Sequence, residues 1–187
     1  MSAKAASSCA GLRLLPLLCL TLAACGTSQT GLRAGDYVGR SISIECAPFA
    51  RALTDMHLSG SAADWWSQAA GRYVRTHGPE VGSILVFGRS GRLPAGHVAV
   101  VSRVAARRQI LVTQANWVHH RVTEDQPVLD VSPAGDWSAV RVWWPPSRQM
   151  GTSDYRTYGF IRPHRPISRD AIVATTPAAI RIAEAGG

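Results

Sequence analysis

The sequence predicts an α+β fold, with helices near the start of the domain and an antiparallel sheet after them. Apolar residues recur at helical spacing downstream of Cys46, and beyond Pro79 they alternate with a period of two. Helices followed by a run of short strands are typical of this class. At 187 residues, with 46% apolar and 17% charged residues, the chain suits one folded domain.

The N-terminal residues have the pattern of an export signal. Lys4 and Arg13 supply positive charge around the start of the apolar run 14–24. That run is shorter than the roughly 20 residues that a membrane-spanning helix needs. It ends in the sequence LAAC, residues 22–25, which resembles the bacterial lipobox.

The lipobox resemblance implies that residues 1–24 are removed as a signal peptide and that Cys25 carries lipid. Several acyl chains anchor a protein durably to a membrane. Gly26, in place of an aspartate, implies the periplasmic side of the outer membrane in a cell that has one. Cleavage after an ordinary A-x-A site is the alternative, and it would leave the protein secreted. Residues 25–40 are small, polar and rich in glycine, and they are predicted to form a tether.

The cysteine content and the net charge limit the functions and partners that the sequence predicts. Cys9 and Cys19 leave with the signal and Cys25 is lipidated, so Cys46 is the single thiol of the mature chain. In an oxidising compartment we expect such a thiol to be either buried or functional. Loss of the two basic residues of the signal lowers the formal net charge from +8 to +6. Because no recognisable nucleic-acid-binding motif accompanies this charge, we expect anionic envelope polymers, and no nucleic acid, as partners.

Two helices are predicted after a short strand at residues 41–44. The first begins at or near Cys46, because Phe49 and Leu53 follow helical spacing, and it ends by Gly60. The second covers residues 62–77. It carries an acidic residue in its first turn and arginines near its end, and each charge favours its end of the helix dipole.

Six later segments alternate apolar and polar residues as strands do, with glycine and proline turns between them. They are residues 83–87, 97–104, 109–114, 128–131, 139–144 and 158–161. The domain is therefore predicted to span residues 41–162. The proline-containing segment 163–187 is predicted to be a partly ordered extension.

Cys46 and His97 form the candidate catalytic pair. The positive end of a helix dipole and a nearby imidazole both favour a thiolate, and the predicted helix start supplies the first of these to Cys46. Among the six histidines, His97 stands apart because it follows Gly96 and opens a strongly apolar strand, a position suited to a cleft. A buried structural thiol and a histidine that packs at a strand end are the alternatives.

Hairpin geometry can bring a polar side chain to His97. A turn centred between Ala106 and Arg107 places His97 opposite Asn116, and a shift by one residue toward the N-terminus places it opposite Gln114. These two candidates share one face in either register, because side chains alternate along a strand. One of them would hold the imidazole in the required tautomer. The helix that begins at Cys46 would then pack across the same face.

Together these segments resemble the CHAP family, the cysteine- and histidine-dependent amidohydrolases and peptidases. The matching motifs are ECAPFAR around Cys46, PEVGSILVF before the hairpin, GHVAVV around His97 and QANW from Gln114 to Trp117. The resemblance implies a papain-like fold of the NlpC/P60 type. In that fold, helices with the catalytic cysteine at a helix start pack on an antiparallel sheet, here of about five to six strands.

By resemblance, Cys46 is the nucleophile, His97 the general base and Asn116 the residue that orients the imidazole. The family commonly has glutamate where this chain has Gln114. An amide oxygen accepts the ring N–H but does not stabilise an imidazolium by charge. Gln114 is therefore either a weaker member of the site or an ordinary strand residue.

Three tryptophans are candidate substrate contacts. Trp117 follows the polar residues of the hairpin and is also placed to shield the His97 hydrogen bond from water. Trp65 and Trp66 lie in the second predicted helix, where core and surface packing are the alternative roles.

The resemblance implies a peptidoglycan hydrolase that cleaves an amide bond through a thioester, without metal or cofactor. The bond is that of an N-acetylmuramoyl-L-alanine amidase or of a peptide endopeptidase. The alternative is a catalytically weak or inactive lipoprotein that binds peptidoglycan or a partner protein, because Gln114 has weakened the triad. A depressed pKa of Cys46 would favour the enzyme.

Overall fold

The computed structural model describes Met1, residues 37–38 and residues 44–185. Three predicted features lie largely or wholly outside the described residues: the lipidation site Cys25, most of the tether, and the signal peptide apart from Met1. So does most of the short strand predicted at residues 41–44. Tyr37–Val38, at the end of the predicted tether, form strand β1.

The described secondary structure comprises three α-helices and nine strands. The helices are α1 (Cys46–Thr54), α2 (Trp65–Gln68) and α3 (Arg169–Ala185). The further strands are β2 (Val74–Thr76), β3 (Ile84–Phe87), β4 (His97–Ala106), β5 (Gln109–Ala115), β6 (Val122–Asp130), β7 (Ala139–Trp144), β8 (Gln149–Met150) and β9 (Tyr155–Arg162). None of the described helices combines the length and the apolar character needed to cross a membrane.

Six of the strands close into an antiparallel barrel. The order of hydrogen-bonded neighbours is β3, β4, β5, β6, β7 and β9, and β9 pairs again with β3. Strands β1, β2 and β8 add to β6, β9 and β7 at the margins. The predicted α+β class with an antiparallel sheet is confirmed. Closure of the sheet into a barrel is a feature that the sequence pattern did not indicate.

Alternation along the barrel strands builds two separate cores. Leu85 and Ala99 belong to the cluster inside the barrel, whereas their neighbours Val86 and Val98 belong to a second cluster beneath the helices. Both faces of β3 and of the first half of β4 are thus buried. This explains why these strands read as nearly continuous apolar runs.

Helix α1 starts where the sequence predicts and stops earlier. Its apolar stripe, which includes Phe49 and Leu53, is buried against the outside of the barrel. Asp55 adopts a left-handed conformation, with φ of 55°, and its N–H bonds the carbonyl of Arg51. This cap ends the helix at Thr54, before the predicted limit at Gly60.

The second predicted helix, residues 62–77, is wrong for most of its length. A 3₁₀ turn at Ala62–Asp64 leads into the single turn of α2, and the chain then turns back into β2. Gly71 has a φ of +70°, which a continuing right-handed helix does not contain. Pairing of β2 with β9 replaces the helical hydrogen bonds that propensity alone favoured.

The C-terminal segment forms a packed helix and is not merely a partly ordered extension. Helix α3 has 17 residues, and Ile172 and Ala179 lie buried in the same cluster as α1. At its start, Arg169 forms an ion pair with Asp125 of β6 at 2.6 Å. Pro177 lies inside α3. A proline removes one helical hydrogen bond, and the buried apolar face compensates for this loss.

Candidate active site

Cys46 is the first residue of α1 and the one free cysteine in the described part of the chain. Glu45 precedes it in an extended conformation and makes no side-chain cap to the helix. The sulfur therefore lies beside the unpaired backbone N–H groups of the first helical turn. It also approaches the backbone of Val98, the residue after His97 in β4.

The surroundings of Cys46 favour the neutral thiol. Burial raises the pKa of Cys46 to about 11, and the negative charge of Glu45 acts in the same direction. Backbone hydrogen bonds from Val98, Ala47 and Cys46 itself lower the pKa and do not offset burial. The position of Cys46 at a helix start predicted a resting thiolate. The resting form is instead the neutral thiol, because the desolvation of the charged form outweighs its stabilisation by the helix N-terminus.

His97 is held by Gln114. Its Nε2 lies 2.9 Å from Oε1 of Gln114, and both side chains are buried, with 3% and 1% of their surface exposed. Since an amide oxygen only accepts hydrogen bonds, the ring donates from Nε2. Nδ1 of the neutral ring then carries the lone pair. His97 thus has the tautomer of a general base that acts through Nδ1.

The His97 ring is neutral at physiological pH. Burial lowers its pKa to about 4, and the hydrogen bond with Gln114 raises it only in part. A glutamate in place of Gln114 would stabilise the imidazolium by charge, and the amide does not. The resting pair therefore consists of a thiol and a neutral imidazole, not of a thiolate and an imidazolium.

Aromatic rings enclose the His97 side chain. Phe87 meets it edge-on, with ring centroids 5.4 Å apart, and Trp117 lies against it at 5.2 Å. Tyr155 in turn packs edge-on against Trp117 at 5.1 Å. These contacts are consistent with the shielding predicted for Trp117. Phe87 was missed by the sequence analysis, although it ends the strand that pairs directly with His97.

The β4–β5 hairpin has the predicted register beside His97, but its turn is centred one residue later than predicted, between Arg107 and Arg108. Val100 faces Thr113 and Val101 faces Val112, which is the first of the two registers considered. Two irregularities between these pairs and the turn shift the register on the way. These pairs confirm the predicted register beside His97. The register alone does not decide whether Gln114 or Asn116 reaches the His97 ring.

Asn116 does not make the hydrogen bond to His97. Strand β5 ends at Ala115, and Asn116 adopts a left-handed conformation with φ of 58°. Its side chain turns away, so that Nδ2 donates to Glu45 at 3.0 Å and Oδ1 accepts from the N–H of His120 at 2.9 Å. Gln114, two residues earlier, reaches the ring instead. Asn116 therefore ties Glu45, beside the nucleophile candidate, to the end of the hairpin.

The expectation that α1 packs across the face carrying His97 is wrong. Helix α1 packs on the outer face with Val98 and Val100, whereas His97 and Gln114 share the alternation of the barrel interior. Among the described hydrogen bonds of His97 there is one to Gln114 and none to Cys46. The two candidates still lie near each other, because the Cys46 sulfur approaches the backbone of Val98, the residue after His97, where α1 and β4 begin.

Gly96 gives the start of β4 its close packing. Its φ is +72°, and a Cβ there would lie 2.6 Å from the Cβ of Ala63 and 2.7 Å from the carbonyl oxygen of Phe87. The N–H of Ala63 bonds the carbonyl of Ala95 in the same place. Gly96 therefore permits the close approach of another part of the backbone, at Ala63 and Phe87.

The two adjacent tryptophans lie in different environments. Trp65 is completely buried in the outer core, so it does not offer the surface that a substrate contact needs. Trp66 is half-buried and stacks on Tyr158, with ring centroids 6.3 Å apart, while Arg75 lies over its ring. The role of core residue, the alternative weighed for Trp65, is the one observed.

No metal-binding cluster is present in the described residues, since no group of three or more His, Cys, Asp or Glu side chains could hold an ion there. The groups at the site are the thiol of Cys46, the imidazole of His97, the carboxylate of Glu45 and two amides, those of Gln114 and Asn116. Glu45 is a site residue that the sequence alone did not reveal, although its position next to Cys46 was the available signal. Such a set suits acyl transfer through a nucleophile and a base.

Comparison with known proteins supports this class of reaction. The family model of the CHAP domain matches residues 35–116, which confirms the family that the motifs predicted. The matched segment includes Cys46, His97, Gln114 and Asn116, and the family of that model is one of cysteine- and histidine-dependent amidohydrolases and peptidases. No curated protein matches the sequence.

Proposed function

We propose that the protein is a cysteine-dependent hydrolase that cleaves an amide bond in peptidoglycan. One observation carries the proposal: the His97 ring is fixed by Gln114 in the tautomer of a base, and the next residue contacts the Cys46 sulfur at the start of α1. The CHAP match supports the reaction class, and CHAP domains commonly act on peptidoglycan. The basic net charge, +8 for the full chain, suits an anionic polymer.

The neutral resting pair defines the order of proton transfers. As the thiol of Cys46 attacks the amide carbonyl, Nδ1 of His97 takes its proton, and the carbonyl oxygen acquires the negative charge. Backbone N–H groups at the start of α1 stabilise this oxyanion, and those of Cys46 and Ala47 already point toward the sulfur.

His97 then returns the proton to the leaving amine, which completes acylation and leaves a thioester on Cys46. Water attacks the thioester while His97 accepts its proton, and the carboxylic acid and the free thiol are released. The imidazolium exists only within each half-reaction. Gln114 therefore has to orient the ring and does not have to balance a lasting charge.

A second candidate follows from the same electrostatics. A thiol with a pKa of about 11 beside an imidazole with a pKa of about 4 is also what a non-catalytic site would have. In that case the protein would bind peptidoglycan, or a partner protein, through the surface around Cys46 and His97 without cleaving it. Gln114 in place of the family's glutamate supports this candidate.

Digestion of purified peptidoglycan separates the two candidates. The wild-type protein should release soluble fragments whose new termini are identified by mass spectrometry, and Cys46→Ser should release none. Cosedimentation of both proteins with intact peptidoglycan measures binding separately. Equal cosedimentation with no fragments from the wild type would establish the binding protein and exclude the hydrolase.

We further propose that Cys25 carries lipid and anchors the exported protein to the envelope, on the periplasmic side of an outer membrane where one exists. The support is the LAAC sequence after the apolar run. Cys25→Ala should move the protein from the membrane to the soluble fraction and abolish labelling by a palmitate analogue. A wild-type protein that is unlabelled and soluble would leave ordinary secretion as the explanation.

A further inference from the structure

A cavity of about 340 Å³ is lined in part by Trp117, the ring that lies against His97. Three of its lining residues are aromatic: Trp117, Trp144 and Tyr155. Most of the other polar lining groups are neutral hydroxyl or amide groups, as in Gln149, and Arg92 is the one charged residue among those that line it. This volume is at the lower end of the range of about 300–1,000 Å³ that is typical of small-molecule sites.

The cavity is built by a short hairpin that β7 forms with β8. Trp143 pairs with Met150 and Trp144 with Gln149, and a proline-containing 3₁₀ turn joins the two strands. The Trp144 side chain is 40% exposed at this end of β7. A large apolar ring left in water at the mouth of a cavity is available to stack on a ligand.

One side chain joins this cavity to the proposed catalytic site. Trp117 lines the cavity, and its ring also lies against the His97 ring at 5.2 Å. Its Nε1 donates to the carbonyl oxygen of Trp143 at 3.2 Å, which fixes the indole to the hairpin. A ligand in the cavity is therefore separated from His97 by the thickness of one aromatic side chain.

The lining suits a sugar better than a peptide stem. A pyranose ring presents an apolar C–H face to an aromatic ring and directs its hydroxyl groups outward to neutral polar groups. The stem peptides of peptidoglycan carry carboxylates and an ammonium group, which require charged partners when bound. Among the residues that line this cavity, Arg92 is the one such partner. The size of the cavity also favours a single ring over an extended peptide.

We propose that this cavity binds a sugar of the glycan strand, which places the amide bond next to that sugar at Cys46. The inference rests on the proposed function and deepens it, because it selects the N-acetylmuramoyl-L-alanine amidase over the peptide endopeptidase. Hydrolysis adds one water across that amide bond. The products are the carboxylate of the sugar's lactyl group and the free amine of the first amino acid.

The test separates sugar binding from cleavage. Peptide-free N-acetylglucosamine oligomers are titrated into the full chain, and binding is followed by tryptophan fluorescence and calorimetry. Trp144→Ala should weaken binding at least tenfold, whereas Trp144→Phe should retain most of it because an aromatic face remains. Tyr73→Ala is the matched control, since Tyr73 stacks on His164 and does not line this cavity. Circular dichroism verifies that each variant is folded.

Cleavage is then measured on intact peptidoglycan by identifying the new amino terminus. The expected terminus is L-alanine, and Trp144→Ala should raise KM about tenfold with little change in kcat. Cleavage within the peptide at a rate that Trp144→Ala leaves unchanged would overturn the inference and leave the hydrolase intact. Oligomer binding that is absent, or equal in the wild type and Trp144→Ala, would also overturn it. Binding that is sensitive to Trp144→Ala without any hydrolysis would remove the proposed function and retain the sugar site.

Discussion

The thiol of Cys46 should react slowly with alkylating agents at neutral pH. At pH 7, four units below its pKa of about 11, the thiolate fraction is about 1 in 10,000. An ordinary thiol with a pKa of about 8.5 is about 3% ionised at the same pH, a roughly 300-fold larger fraction. A more basic thiolate is a better nucleophile, which recovers about tenfold or slightly more. We therefore expect labelling on the order of 20-fold slower than that of a free cysteine.

The assay measures the rate of iodoacetamide labelling between pH 6 and 11. Peptide mass spectrometry resolves Cys46 from the other three cysteines, and Cys46→Ser supplies the blank. Below the pKa of Cys46 the rate should rise about tenfold per pH unit. In denaturant it should reach the rate of a free cysteine. A native labelling rate that levels off below about pH 7.5 would show a stable thiolate and would refute the argument from burial.

Glu45→Gln tests the electrostatic part of this argument. The carboxylate of Glu45 raises the pKa of Cys46, and it also accepts a hydrogen bond from Asn116. Glutamine keeps an accepting oxygen and removes the charge. The labelling profile should therefore move to lower pH, by less than the effect of burial, because burial is the largest cause of the raised pKa. An unchanged profile would mean that the Glu45 carboxylate does not act on the thiol.

Three further predictions concern the residues around His97. Gln114→Ala should reduce kcat more than Asn116→Ala, since Gln114 holds the ring, and the reverse order in hydrolysis assays would favour Asn116 as the orienting residue. The unfolded chain protonates His97 near pH 6.5 and the folded protein only near 4, so about 3 kcal/mol of stability should be lost as pH falls through this interval. Urea unfolding should show this loss in the wild type and a smaller one in His97→Gln, and equal losses would rule out the contribution of His97. Gly96→Ala should destabilise the fold by about 3 kcal/mol, because its φ of +72° and the close approach of Ala63 oppose a Cβ. Thermal unfolding measures this, and an unchanged Tm would contradict it.

Local patterns located all six barrel strands, but they placed the starts of β6 and β9 six and three residues too late. Strand β7 has the predicted bounds, and β4 and β5 differ from theirs by two residues and one residue at their C-terminal ends. Alternation fails to predict β1, β2 and β8, because strands of two or three residues are too short for a period to be recognised. Helix α3 was missed because Pro177 indicated a break, whereas burial of Ile172 and Ala179 against the outer core stabilises the helix around the proline.

By itself, the sequence determined the parts of the site that depend on neighbours along the chain. Cys46 begins a helix where the apolar spacing of Phe49 and Leu53 predicts one. The strands of the β4–β5 hairpin likewise follow from their own alternation, although two irregularities near the turn, which alternation does not encode, set the register beside His97. The CHAP motifs likewise needed no structure to be recognised.

Only the tertiary structure decided the electrostatics and the pairing of side chains. The helix N-terminus favours a thiolate at Cys46, but desolvation by the surrounding fold is the larger effect. The left-handed backbone of Asn116 sends its side chain to Glu45 and leaves His97 to Gln114. Desolvation and the geometry of a chain turn both depend on atoms distant in sequence, so no local pattern of residues encodes them.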